Sequence, residues 1–253
     1  MTAAHTENDL NDPKMPLTAH LRELRKRILY AIGGLAIAFV VAWIFSDPIM
    51  ELVKRPVEPY VGHLQFDTLT APFFTHIKAS FFAAIFVTFP LIVWQIWAFV
   101  GPGLYKREKR LMWPFLLFSF PLFVGGGSFC YFVVFPFAVQ FLVNFDKTLV
   151  PSLRIDDYLS FTLRMVFVFG LVFELPLISL LLTRIGLLTP EWLSKNRRYA
   201  IVIIFVAAAV LTPPDAFTQV LLGVPLLLLY EISVIVSRVA RPRKPKEEPE
   251  DEA

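Results

Sequence analysis

The sequence predicts an all-α, polytopic membrane fold of six transmembrane helices, and three observations carry that prediction. Of 253 residues, 56% are hydrophobic and only 18% are charged. The mean hydropathy is +0.62. Several apolar runs approach the ~20 residues that take a helix across ~30 Å of hydrocarbon at ~1.5 Å per residue. No water-soluble fold of this size hides so much apolar surface, and disordered, collagenous and disulfide-framed classes are excluded by the same composition.

The first run, 28–45, is uncharged and follows Arg22, Arg25, Lys26 and Arg27. Some twenty polar residues precede it, unlike a cleavable leader, so it reads as a retained helix. Further spans are expected at 79–100, 111–134, 161–182, 199–211 and 217–236. The fifth would rise only roughly 20 Å, about 10 Å short of the hydrocarbon, and the turn Thr212-Pro213-Pro214-Asp215 folds it back on the sixth as an antiparallel pair. Pro90, Pro114, Pro121, Pro176 and Pro225 interrupt spans and bend them. Gly125-Gly126-Gly127-Ser128 permits close helix approach. The long connections 46–78 and 135–160 keep apolar residues and are expected to lie as short helices capping the bundle. Residues 1–19 form a flexible cytoplasmic arm in this reading, 20–238 the transmembrane domain, and 239–253 a disordered cytoplasmic tail.

Charge sets the expected orientation. Lys14, Arg22, Arg25, Lys26, Arg27, then Lys106, Arg107, Lys109, Arg110, then Arg184, Lys195, Arg197, Arg198 and the tail cations fall on one side. Only Lys54, Arg55, Lys78, Lys147 and Arg154 fall on the other, so both termini are placed in the cytoplasm of a multi-pass inner-membrane protein. This distribution follows the span ends rather than a nucleic-acid face. Cys130 is the single cysteine and reads as a small core residue. His5, His20, His63 and His76 all avoid the span centres, which leaves no intramembrane imidazole for haem, zinc or a catalytic dyad. No enzyme, metal or cofactor is expected.

A few polar groups need reasons. Glu174 lies ~20 Å along the fourth span from its outer end, where an ionised carboxylate costs at least ~2.5–3.5 kcal/mol; it must be neutral, paired or wet. Arg164, ten residues earlier, is off its face and ~15 Å away, close enough to the surface to snorkel. Gln219 would hydrogen-bond across helices, as packing or as a contact site. Glu231 falls near the inner surface as a solvated residue or a contact. Glu23 and Glu108 are lone carboxylates inside basic clusters. Either they pair within their own helices, or they receive guanidinium groups from a ligand, since a carboxylate accepts Arg bidentately.

Six motifs then occur in order: His20-Leu21-Arg22-Glu23-Leu24-Arg25-Lys26-Arg27; Trp97 to Tyr105, followed by Glu108; Tyr131 to Pro136; Phe173-Glu174-Leu175-Pro176; Leu211 to Asp215 with Gln219; and Leu229-Tyr230-Glu231. With them the chain resembles the TatC family, the multispanning receptors of the twin-arginine protein translocation system, over roughly residues 16–238. The resemblance implies a cup-shaped bundle that binds twin-arginine signal peptides of folded precursors, in a Sec-independent translocase linked to the proton motive force. By position it makes Glu23 and Glu108 the acceptors of the paired arginines, with Arg25, Lys106 and Phe99 in the same site and Pro56 structural or signal-contacting. It makes Glu174 the buried polar group of the concave face. Gln219, Pro213, Asp215 and Glu231 become the docking surface for single-span TatA and TatB partners, within a receptor complex holding several copies of the chain. Lys109 departs from the Arg common in the family but keeps the charge. The competing class is a proton-coupled transporter or channel for a small solute, centred on Glu174; it lacks an internal repeat.

Overall fold

The computed structural model describes residues 17–61, 64–101, 112–145, 153–212 and 216–240. Among these, α1 (Leu17–Ile44), α2 (Ser46–Lys54), α3 (Ala71–Val100), α4 (Met112–Phe129), α5 (Phe135–Asn144), α6 (Ile155–Phe173), α7 (Leu175–Arg184), α8 (Pro190–Lys195), α9 (Arg197–Leu211) and α10 (Ala216–Ala240) follow one another, with a π-helical turn, Cys130–Val134, joining α4 to α5. An apolar chain in hydrocarbon must satisfy its backbone locally, which is why nearly everything is helix. The only β pairing among the described residues is an isolated bridge between Gln65 and Arg154.

Among the described residues, five helical stretches are long and apolar enough to cross a membrane: Thr18–Ile44, Ala71–Val100, Met112–Asn144, Ile155–Arg184 and Ala216–Ala240. The expected fifth span is α9, whose 15 residues rise only ~22 Å and fall short of that length. It pairs with α10, as the short turn between them requires.

Several span boundaries differ from the sequence expectation. The second span starts at Ala71 rather than 79, because Pro72 sits in its first turn, where a missing N–H costs nothing. The third continues through Pro136 to Asn144. There the chain widens by one residue, so that Phe135 N–H reaches the Cys130 carbonyl, and the π turn absorbs the proline that would otherwise end the helix. Pro114 falls two residues after Met112, where the described part of α4 begins.

The core is built on close approach. An added Cβ at Gly126 of α4 would stand 2.6 Å from the Phe169 carbonyl oxygen of α6, and one at Gly170 would stand 2.7 Å from the Phe123 ring. These two glycines let α4 and α6 touch backbone to side chain. Phe123, fully buried, is stacked on Phe89 of α3 at 3.7 Å between centroids, so three spans meet on one ring. Cys130 is fully buried and packs with Met165, Phe169, Ala208 and Leu222. Between α7 and α10 the contact is a hydroxyl ladder: Ser179 donates to the Ser233 carbonyl at 3.0 Å, and Thr183 and Ser237 share a bond of 2.6 Å.

The α2 end of the bundle is capped, as the apolar content of its loops suggests. Gln65 N–H donates to Leu153 O at 2.9 Å, and Ile155 N–H donates to Gln65 O at 2.8 Å. Lys78 pairs with Asp156 at 2.6 Å, and the Tyr158 hydroxyl donates to Val53 O at 2.6 Å. Met50, Val53, Val57, Phe135 and Leu159 fill the space beneath.

Gly126→Ala is expected to destabilise the protein by ~1–3 kcal/mol, because backbone rather than a flexible side chain blocks the new methyl. Gly125→Ala, which meets nothing within 4 Å, should be neutral. Thermal unfolding in detergent, followed by loss of the monodisperse peak, checks the contrast.

Candidate functional site: a charged rim above an apolar groove

Glu23 lies two turns into α1, where 3.6-residue periodicity puts Ala19, Glu23, Lys26, Arg27 and Tyr30 on one side. These residues, with Arg22, line a cavity of ≈ 430 Å³. Arg27 Nη2 donates to Glu23 Oε1 at 3.1 Å and Nη1 donates to Gln95 Oε1 of α3 at 3.4 Å. His20 stacks on Phe99 with centroids 4.2 Å apart and rings 16° from parallel. The start of α1 is thereby tied to the last turns of α3. Lys26 covers the Tyr30 ring at 5.7 Å.

The structure therefore brings Glu23 and Phe99 to the same end of the bundle. Arg25, two positions on and so ~200° around the helix, is exposed on the other side and does not line the cavity. Glu108 and Lys106 lie outside the described residues, as do Pro213 and Asp215. The within-helix pairing considered for Glu23 is present, as a partly buried i,i+4 bridge to Arg27.

Below the rim, α3, α4, α6 and α7 enclose an almost wholly apolar groove of ≈ 480 Å³, lined among others by Ile92, Ile96, Trp97, Phe115, Leu171 and Ile178. The same turns of α3 serve both features: Gln95 and Phe99 meet α1, while Ile96 and Trp97 face the groove. The polar side chains in the lining are Ser119 and Glu174.

A helix break places Glu174. Pro176 has no N–H to return to the Val172 carbonyl and crowds it, so α6 ends at Phe173 and α7 begins at Leu175. The Glu174 N–H turns back to Leu171 O at 3.1 Å. Its side chain is only 4% exposed. Ser119 Oγ donates to Oε1 at 3.0 Å, whereas Oε2 is buried with no partner among the described residues. A ligand bringing a donor into the groove would find an acceptor waiting. Arg164 instead donates from Nε to Ser160 O at 2.9 Å and is exposed.

Ser119 was not singled out by sequence reasoning. The available signal was a hydroxyl in the middle of an otherwise apolar span, which seldom stays without a partner in hydrocarbon.

At the hairpin, Gln219 Nε2 donates to the Phe205 carbonyl of α9 at 3.0 Å, beside Gly223, which lies against the Phe205 ring. Arg197 Nη2 reaches Glu231 Oε2 at 2.7 Å, both side chains 45% exposed. Of α9 only Ala208 is buried, leaving a broad apolar face through Val202, Val206 and Val210. Pro56 falls in the turns after α2, half-buried. Among the described residues no three His, Cys, Asp or Glu side chains gather as a metal site.

The family model described as Sec-independent protein translocase protein (TatC) matches residues 19–225. The chain belongs to the TatC family. It is 42% identical to the Sec-independent protein translocase protein TatC of Aquifex aeolicus over 238 residues, covering 92% of this chain and 98% of that one. It is 39% identical to that of Desulforapulum autotrophicum over 243 residues, covering 94% and 90%. The crystal structure of a twin-arginine translocase receptor, TatC, superposes with a TM-score of 0.79 at 40% identity, covering 87% of this chain and 99% of that one. A second TatC crystal structure, in the detergent DDM, gives 0.80 at 41% identity, covering 86% and 99%. The resemblance read from the six motifs is thus borne out, as is the all-helical membrane fold: this TatC-family chain is a multi-pass membrane protein.

Ser119→Ala is expected to lower stability by ~1–3 kcal/mol by leaving both Glu174 oxygens without a donor. Glu174→Gln, whose amide oxygen can still accept from Ser119, should change it by less than ~1 kcal/mol. Detergent melting curves of the two variants check this.

Proposed function

We propose that this chain is the subunit of a twin-arginine translocase that recognises the signal peptides of folded precursors. The observation that carries the reading is the closeness of rim and groove: one stretch of α3, 95–99, meets the Glu23-bearing start of α1 on one side, through Gln95 and Phe99, and lines an apolar groove on the other, through Ile96 and Trp97. A twin-arginine segment would lay its guanidiniums at the rim, on Glu23 and, by family position, Glu108, with Arg25 and Lys106 shaping the surrounding field. Its apolar segment would follow α3 into the groove. In hydrocarbon, apolar burial brings little net gain over lipid, so the charge-assisted, bidentate pairing carries the discrimination. Recognition makes and breaks no covalent bond.

The reading extends to the assembly. Six crossings, with α9 as the short fifth, rest on the apolar runs, and both termini in the cytoplasm of the inner membrane rest on the distribution of Lys and Arg. The apolar face of α9 and the outer stripe of α10 suit single-span TatA- and TatB-type partners, at Gln219, Glu231 and the adjoining Pro213 and Asp215. Several copies of the chain would share one receptor complex. Glu174, with one oxygen unpartnered at the helix break, would receive a donor from a partner or cargo helix, the step through which the proton gradient could be coupled.

Binding of a labelled signal peptide with Arg-Arg, compared with Lys-Lys, to the purified chain in detergent tests the core of this. The Arg-Arg form should bind at least ~10-fold tighter, and Glu23→Ala should remove most of that margin. Equal affinities would refute receptor function. Glu174→Ala is expected to insert normally and to impair export of a twin-arginine reporter in cells; unimpaired export would remove its proposed role.

A further inference from the structure

Arg27 is bound at the rim in an incompletely satisfied way. Its Nη2 meets Glu23 Oε1, its Nη1 meets Gln95 Oε1, and its Nε is buried with no acceptor. A guanidinium carries five N–H donors in a planar fork that fits a carboxylate with two parallel bonds. Arg27 gives Glu23 a single nitrogen at 3.1 Å and leaves another N–H in a dry position. Both side chains still reach solvent, Arg27 at 29% and Glu23 at 21% exposure, and both line the cavity. A group arriving through that cavity meets the carboxylate with its own geometry unconstrained by α1.

We infer that Arg27 is an internal competitor for the Glu23 carboxylate and, through it, a specificity-determining residue of the rim. In the empty protein its guanidinium occupies the acceptor, and a ligand must displace it. This rests on the proposed role of Glu23 as acceptor. An incoming Arg improves on the occupant, because it can form both parallel bonds. An incoming Lys does not, because a compact, strongly hydrated ammonium exchanges one single contact for another. Discrimination between the two therefore arises from competition as well as from attraction, the repulsive half of specificity. Gln95 sets how firmly the competitor is held, since its amide oxygen anchors Arg27 from α3 without adding charge. Arg22 and Lys26 also line the cavity and oppose any cation without touching Glu23 in this way.

The test uses the full-length chain in detergent and two synthetic peptides, Arg-Arg and Lys-Lys versions of one signal sequence. Arg27→Gln should tighten the Arg-Arg peptide by roughly 3- to 10-fold, and tighten the Lys-Lys peptide more, so that the preference between them narrows. Gln95→Leu, which changes no charge, should move both affinities the same way by about 2- to 3-fold. In a Glu23→Gln background neither substitution should tighten binding. Arg27→Gln that weakens binding or leaves it unchanged would overturn the inference, as would an equal gain in the Glu23→Gln background, which would report only the removed charge. If Arg27→Gln does not purify as a monodisperse protein, Gln95→Leu decides alone, and no tightening overturns it. Loss of affinity on Glu23→Gln alone is the separate check on the rim: its absence would sink the proposed acceptor, not merely the competitor.

Discussion

Hydrocarbon offers no hydrogen-bonding partner, so each polar atom in the spanning part of this chain has to find one inside the protein, and the architecture follows from where that succeeds. The hydroxyls of Ser179, Thr183, Ser233 and Ser237 close on one another or on backbone and stitch α7 to α10. Gln219 closes on a carbonyl and stitches α10 to α9. Before Pro136 the chain widens into a π turn and before Pro176 it breaks, whereas Pro90, Pro121 and Pro225 sit inside continuous helices. At the break sits a buried carboxylate, Glu174, that the described part of the fold satisfies only by half.

The interactions differ in weight. Arg197–Glu231 and Arg154–Asp67 join side chains about half exposed, and pairs of that kind contribute ~0–1 kcal/mol, less in salt. The glycine contacts of α4 with α6 matter more, since filling either displaces backbone or an aromatic ring in a packed core. They hold Ser119 and Glu174 on facing helices, and through Phe123 and Phe89 they fix α3 against both. Because α3 also carries Gln95 and Phe99, the packing that forms the groove sets the position of the rim.

Much of this was legible in the sequence. Continuous apolar runs marked the long helices, basic clusters set the expected sides, and six short motifs in order pointed to the family before any contact was known. Glu174 stood out because a charge in an apolar run has no cheap explanation. What the sequence could not reveal depends on geometry between distant residues. The length of the third span was misjudged because Pro136 reads as a stop, and only the π turn at 130–134 makes it passable. Arg25 and Arg27 look equivalent in a basic cluster, yet helical phase sends one away from Glu23 and the other onto it. Ser119 and Gln95 are single polar residues whose partners sit 55 and 68 positions away.

The central claim is that the Glu23 carboxylate receives an arginine of the ligand. A double-mutant cycle tests it most directly, pairing Glu23→Gln in the full-length chain with replacement of each signal-peptide arginine by citrulline, which keeps the shape and loses the charge. The account predicts strongly non-additive losses for one of the two arginines, a coupling of about 2 kcal/mol or more, as for close charge pairs at interfaces. Additive losses for both arginines would contradict it.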